Sequence, residues 1–296
     1  MREAMHNKAC NPLGNAPGYI MCLLCPHLCK LNNGETGICR GRKAIDNKLY
    51  AVNYAETVCI SLDPIEKKPL YHYNPGSYIL SLGPNSCNLS CSFCQNWQIS
   101  QVASPTSYIS IEELAKQVRS GDNPQVAFTY SEPLMWYEYI MDFADYAPDI
   151  AIVLVTNGFI NELPWKQIIP KVKAVNIDLK ASTEDFYLKQ CNGMLQTVKQ
   201  NIQLAVEAGI HVEITYLLIP GLNNQPEEIE ELASFVAKLD QNIPLHISAY
   251  RPMYKMQIRA TTTEEVKMAC DIAAKHLKYV YAGNCYLPQY SVSRLR

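Results

Sequence analysis

Three cysteines, Cys87, Cys91 and Cys94, lie close together in the run GPNSCNLSCSFCQNW with the spacing CxxxCxxC. Thiolates are the ligands of iron–sulfur clusters, and a loop this short wraps three sulfurs around one face of a cubane. No further cysteine follows until Cys191. The spacing therefore predicts a [4Fe-4S] cluster with one iron left without a cysteine and open to a small chelating molecule. A structural zinc, or an incidental run of thiols, is the competing reading of the spacing alone. A second group lies upstream in CLLCPHLCKLNNGETGIC, where Cys22, Cys25, Cys29 and Cys39 give CxxCxxxC and a fourth cysteine ten positions on. Four soft ligands on two short arms suit tetrahedral zinc as the first choice, a second [4Fe-4S] cluster as its rival, and redox-active or unliganded thiols last. His27, inside that loop, either replaces one cysteine or hydrogen-bonds a sulfur. Cys191, Cys270 and Cys285 are widely spaced and read as ordinary thiols.

The elements that must position these groups fall into two regimes. Up to about Gly76 the chain has little periodicity, much Gly, Asn and Pro, and half of its twelve cysteines. From Ser77 onward short apolar runs alternate with amphipathic stretches, the rhythm of a parallel α/β sheet. The expected division is a cysteine-rich metal-binding module over residues 1–76 and an α/β core over 77–296. Six runs read as strands: Tyr78 to Leu82, Gln125 to Tyr130, Ile150 to Thr156, Ala174 to Leu179, Val212 to Leu218 and Leu245 to Ala249. Six strands fit six β/α units, with VYAGN at Gly283 and Asn284 as a last loop. Helix starts are readable at Ser110, with Glu113 in the capping-box position, and at Thr263, where Val266 leaves no reciprocal box. A further helix opens at Pro226 with acids behind it.

Composition narrows the classes of partner. The 26 Lys and Arg against 28 Asp and Glu give a net charge of −2, and without a basic tract nucleic acid is not an expected partner. The longest apolar runs, such as Ile150 to Thr156, are strand-length, so no membrane span is expected. The start MREAMHNKAC lacks the basic and apolar regions of a signal peptide. A reducing cytoplasm is the expected compartment, where clustered cysteines signify metal or catalysis.

In parallel α/β folds the reactive side chains gather at the carboxyl ends of the strands. AFTYSEP puts Tyr130, Ser131 and Glu132 there after the second strand, VTNGF puts Thr156 and Asn157 after the third, and NIDLKA puts Asn176, Asp178 and Lys180 on the fourth. Polar groups breaking apolar strands at one end are hard to explain as core, because an unpaired buried polar group costs about 1–3 kcal/mol. They are expected to line a cavity, with Ile219 in LLIPGLNN joining them, while His246 in LHISAYRP reads first as a hydrogen-bonded core residue and second as a group of that cavity.

The CxxxCxxC loop following a strand, with Phe93 before its last cysteine, resembles the radical S-adenosylmethionine (SAM) superfamily. LCPHLCKLNNGETGICRGR, DPIEKKPLYHYNPGS and CNLSCSFCQNWQISQ together resemble one branch of it, the AmmeMemoRadiSam system enzymes, related to pyruvate formate-lyase activating enzymes. The resemblance implies a partial (β/α)6 TIM barrel in which SAM chelates the open iron and is reductively cleaved to a 5′-deoxyadenosyl radical. It implies that Glu132, where the family carries a Gly-Gly-Glu-like segment, meets the methionine ammonium. Asn157, Asp178 and Lys180 are implied to contact ribose and carboxylate, with Tyr130, Ser131, Thr156, Ile219 and His246 completing the cofactor site. No catalytic side chain is singled out.

The expected activity is that of an oxidoreductase abstracting hydrogen from a protein or peptide, as a glycyl-radical activase does. Radical modification of a small metabolite is the alternative within enzymes, and a non-catalytic iron–sulfur sensor or scaffold the alternative outside them. The implied partners are an electron donor such as flavodoxin or ferredoxin, and Memo-type and AMMECR-type proteins. Residues 95–190 contain no cysteine, so the eight-cysteine ferredoxin-like insert of many activases is absent.

Overall fold

The computed structural model describes residues 1–10 and 18–291. By compactness the chain divides into two units whose segments alternate along the sequence. The first comprises Met1–Pro64, Ser77–Leu89 and Asn96–Lys173, the second Ile65–Gly76, Ser90–Gln95 and Ala174–Arg296. Residues 65–76 thus group with the later part of the chain.

In the first unit the strands Tyr78–Pro84, Gln125–Phe128 and Ala151–Thr156 run parallel. Glu56–Pro64 adds antiparallel to Tyr78–Pro84, and Ser107–Tyr108 adds to Glu56–Pro64. Every residue of Gln125–Phe128 is buried, as expected for a parallel strand covered on both faces. Gly83 is required by close packing, since a Cβ there would lie 2.0 Å from the carbonyl oxygen of Thr129. The cysteine-rich segment forms two small antiparallel sheets, Asn7–Cys10 with Tyr19–Cys22 and Lys30–Leu31, and Arg2–Glu3 with Lys48–Ala51 and Arg42–Ile45.

In the second unit Ala174–Asp178, His211–Leu218, Leu245–Ala249 and Val280–Gly283 run parallel. The last is a seventh parallel strand where the sequence predicts a loop. A four-residue run ending in Gly carries too little pattern to be separated from a turn, yet Leu245 to Ser248 pair with Val280 to Gly283 in register. The last α-helix, Thr263–Ala273, is capped by Thr262 and not Thr263. Thr262 accepts from the Glu265 backbone N–H and Glu265 accepts from that of Thr262, completing the reciprocal box that the sequence frame missed by one residue. Ser110 caps Ile111–Arg119 as expected, accepting from the Glu113 N–H. Among the described residues no helix is long and apolar enough to cross a membrane.

Candidate cofactor and metal sites

In the first unit, Glu132 is the centre of the groups gathered at the strand ends. It is 1% exposed and caps the short 3-10 turn Pro133–Trp136 by accepting from the Leu134 N–H at 3.0 Å. The same carboxylate accepts from Thr156 Oγ1 at 2.7 Å and from the Asn157 N–H at 2.8 Å. Three donors from two segments thus fasten the end of one strand to the end of the next. Asn157 in turn donates from Nδ2 to Asn88 Oδ1 at 3.0 Å and to Cys87 Sγ at 3.8 Å. The carboxylate that the sequence offers to a cofactor ammonium therefore also sets the position of Thr156 and Asn157, and through Asn157 that of the first cysteine. Asn88, not anticipated from sequence, completes the bracket by donating to the Phe159 carbonyl.

Tyr130 and Ser131 complete this strand end. Ser131 Oγ donates to the Pro84 carbonyl and Tyr130 OH to Asp63 Oδ2 at 2.7 Å. Tyr130 has φ +70°, a conformation that glycine adopts freely and a tyrosine only under strain. The backbone turn expected of a glycine is thus present without one.

In the second unit, Cys91 is buried and Cys94 half-buried, and the Cys94 N–H closes a turn on the Cys91 carbonyl at 3.2 Å. Phe93, between them, packs on Phe186 with ring centroids 5.7 Å apart. Lys180 Nζ pairs with Asp178 Oδ2 at 2.9 Å. A hydrogen bond from Cys191 and the positive charge of Lys180 hold the Cys91 thiol below its ordinary range, against the opposing effect of burial. Soft sulfur donors and a nearby cation suit a thiolate-ligated cluster, so the residues present fit the group that the spacing predicts. Ile219 is fully buried and its N–H donates to Asn223 Oδ1 at 2.6 Å. Asn223 also donates to the carbonyls of Lys180 and Leu217, so this loop, too, is pinned by a buried amide.

His246 shows the first of its two readings, a hydrogen-bonded residue of the core. It is 2% exposed, with Nε2 2.6 Å from Glu213 Oε2. It is the second residue of its strand, toward the amino end, whereas Asp178 closes its own strand at the carboxyl end. Glu213 accepts also from His211 Nε2 at 2.8 Å and from the backbone N–H groups of Tyr71 and His72 at 3.0 and 2.8 Å. His72 Nε2 meets Tyr281 OH at 2.6 Å, and Asn176 Nδ2 donates to the Pro69 carbonyl at 2.7 Å. Residues 65–76 are held by this cluster at the amino ends of the strands, and His246 and Asn176 belong to it.

The amino-terminal thiols share one buried neighbourhood. Cys22, Cys25 and Cys39 are all buried and Cys29 half-buried. Burial pushes the Cys22 thiol up to about 11 and raises Cys25 and Cys39, with the charge of Cys29 adding to all three shifts. Arg42, 1% exposed, opposes that shift at Cys22 and Cys39 while pairing with Glu138 at 2.7 Å. His27 hydrogen-bonds the Asn88 carbonyl at 2.7 Å through Nε2, which ties this segment to the residue after Cys87. Among the described residues, which include all twelve cysteines, none forms a disulfide and no group of three or more His, Cys, Asp or Glu closes around a single metal ion. Ligands of a cluster bind different irons and need not converge on one point.

The description radical SAM superfamily belongs to a family model that matches residues 83–236. The uncharacterized protein MJ0808 of Methanocaldococcus jannaschii is 36% identical over 292 residues, covering 96% of this chain and 85% of that protein. A GTP 3′,8-cyclase of Campylobacter curvus is 26% identical over 158 residues, about half of each chain, 50% and 48%. A solved radical SAM methyltransferase from Sphaerobacter thermophilus matches with a TM-score of 0.56 at 16% identity, over 71% of this chain and 67% of that one. Streptococcus suis SuiB bound to S-adenosylmethionine matches with a TM-score of 0.55 at 13% identity, over 68% and 48%. These structures share the fold, a mixed α/β architecture with parallel strands, in line with the fold class expected from sequence.

Proposed function

The chain belongs to the radical SAM superfamily, and from that premise we propose that Cys87, Cys91 and Cys94 hold a [4Fe-4S] cluster beside a SAM site built on Glu132. The observation that carries the reading is the bracket joining Glu132, Thr156, Asn157 and Cys87. When bound, the cluster supplies the electron that cleaves SAM to methionine and a 5′-deoxyadenosyl radical. Thr156 and Asn157 present polar groups to the cofactor in positions that Glu132 fixes, and Tyr130 and Ser131 complete the same strand end. Asp178 and Lys180 offer one negative and one positive charge to ribose and carboxylate, and Ile219 presents its buried backbone. Anaerobic reconstitution followed by dithionite and SAM tests this: 5′-deoxyadenosine is expected, and its absence with an intact cluster overturns the reading. Cys94→Ala should abolish both cluster absorbance and cleavage.

The hydrogen donor in this reading is a protein or peptide residue, as for a glycyl-radical activase, with the electron delivered by flavodoxin or ferredoxin in the cytoplasm. A protein-centred glycyl radical detected by electron paramagnetic resonance, in mixtures with Memo-type, AMMECR-type or other candidate proteins, would support it. The partial likeness to GTP 3′,8-cyclases favours a second reading, radical modification of a small molecule. In that case deuterium from a labelled metabolite, not from protein, would enter 5′-deoxyadenosine. The spacing of Cys22, Cys25, Cys29 and Cys39 supports a second metal site, with zinc favoured over a second cluster; zinc binding requires these thiols to draw closer together than they lie here. Elemental analysis of a Cys87→Ala/Cys91→Ala/Cys94→Ala variant separates the two: one zinc and no iron is expected, and residual iron with sulfide would assign a cluster.

A further inference from the structure

The residues on either side of Cys87 are held by the amino-terminal segment. Ser86 Oγ donates to the Cys39 carbonyl at 2.7 Å, and Gly41 comes so close to this serine that a Cβ there would lie 2.9 Å from its Oγ. Arg40 Nη2 donates to the Ser100 carbonyl at 2.8 Å and reaches the Asn85 carbonyl at 3.5 Å. On the other side of Cys87, His27 Nε2 meets the Asn88 carbonyl at 2.7 Å. A carbonyl oxygen only accepts, so Nε2 carries the proton. The His27 ring also packs edge-on against Phe159, with centroids 5.3 Å apart, and Asn88 Nδ2 donates to the Phe159 carbonyl. The strand ends grip the same stretch. The Glu132 N–H donates to the Ser86 carbonyl at 3.2 Å, and Asn157 Nδ2 reaches Asn88 Oδ1 at 3.0 Å and Cys87 Sγ at 3.8 Å. Ser86 and Asn88 are 0% and 1% exposed, so bulk water does not stand in for a bond lost here.

Resting on the cluster reading above, we propose that His27 is a positioning residue, which donates its Nε2–H to the Asn88 carbonyl and so fixes the direction in which Cys87 presents its thiolate to the cluster. The sequence offers His27 to a metal or to a sulfur, and the geometry gives its Nε2 to a carbonyl of the cluster loop. Without that donor the Asn88 carbonyl is left buried and unpaired, and the backbone that carries Cys87 is held by Ser86 on one side only. Groups that orient a metal ligand without touching the metal typically change its hold by about tenfold or more when removed. Glutamine at 27 can restore the bond, because its side-chain N–H lies close to where the imidazole Nε2–H was.

Two measurements test this. Nitrogen-15 NMR of the histidine rings in the full chain, before reconstitution, should show His27 as the Nε2–H tautomer, and the Nδ1–H tautomer overturns the proposal. After reconstitution, iron release to a chelator is followed in wild type, His27→Ala and His27→Gln, together with the electron paramagnetic resonance spectrum of each reduced cluster with and without SAM. The expected result is iron release about tenfold faster in His27→Ala, with altered g values, and a return toward wild type in His27→Gln. Release and spectra in His27→Ala that match wild type overturn the proposal. So does a glutamine variant as labile as the alanine one, which would assign the effect to ring packing or metal binding and not to donation. Wild-type protein that binds no cluster would instead refute the cluster reading itself, while the tautomer still decides the His27 bond, so the two failures are distinguishable.

Discussion

Glu132 and Glu213 are both almost completely buried, and each binds backbone N–H groups and polar side chains from separate segments. They differ in where they sit along their strands. Glu132 lies just past the carboxyl end of Gln125–Phe128, while Glu213 is the third residue of His211–Leu218. In parallel α/β folds the carboxyl ends carry chemistry and the amino ends carry stability. Glu132 accordingly leads through Asn157 to a cysteine of the cluster loop, whereas Glu213 leads through Tyr71 and His72 to a segment that fastens the other end of its unit. Burial alone does not identify a reactive carboxylate. What the surrounding donors belong to does.

The largest expected effect is at Glu213. Burial raises its carboxyl, but the bonds from His211 and His246 and from the Tyr71 backbone outweigh this and hold it down at about 2, from an ordinary 4.5. A depressed folded pKa contributes stability that is fully present above the unfolded value and lost as pH falls through the folded one. The contribution is therefore complete above about pH 4.5 and disappears toward pH 2, and 2.5 units correspond to about 3 kcal/mol. Glu213→Gln should lose a similar amount at neutral pH in urea unfolding and show a flatter pH dependence between 4.5 and 2. Parallel acid curves for variant and wild type would show that another group carries the transition, and the contrast with Glu132 would lose its energetic basis.

The two carboxylates are unequally legible in the sequence. Glu132 stands in AFTYSEP directly after an apolar run, where a polar residue is conspicuous, and the strand-end rule points to it. Glu213 is inside VEITYLL, where alternation reads it as an outward residue of a strand. Its partners Tyr71 and His72 lie about 140 residues away, and no local pattern announces such a contact. His246 leaves two readings open for the same reason, since a histidine in an apolar strand shows its polarity but not which end of the sheet it serves. The window from Cys87 to Cys94 is legible because all three of its cysteines are local to one another. Cys191, which needs a π-turn and two backbone bonds to reach that window, is not.

At Glu132 the expected loss of stability is smaller and the loss of function larger. Glu132→Gln keeps one oxygen but turns an amide toward donors, leaving about one buried hydrogen bond unmade at about 2 kcal/mol. The variant should fold, bind the cluster and yield far less 5′-deoxyadenosine, because Asn157 loses its fixed backbone. Retained cleavage would reduce Glu132 to a structural anchor, the role Glu213 has for residues 65–76. Thr156→Val sharpens the point. It removes the hydroxyl that donates to Glu132 and accepts from the Gly158 N–H at 3.1 Å, and should cost about 1 kcal/mol, with a milder fall in cleavage than Glu132→Gln.

The smallest effect is expected at Tyr130, where two terms oppose. Glycine would relieve the strain of φ +70°, a gain on the order of 1 kcal/mol, but would remove the Asp63 hydrogen bond and add backbone freedom to the unfolded chain. Tyr130→Gly should therefore alter stability by less than about 1 kcal/mol. Tyr130→Phe, which keeps the strain and loses only the hydroxyl, should be the less stable of the two by thermal melting. The reverse order would mean that the aromatic ring, not the backbone turn, holds this strand end, and that Glu132 is positioned from the Tyr130 side as well as from Thr156 and Asn157.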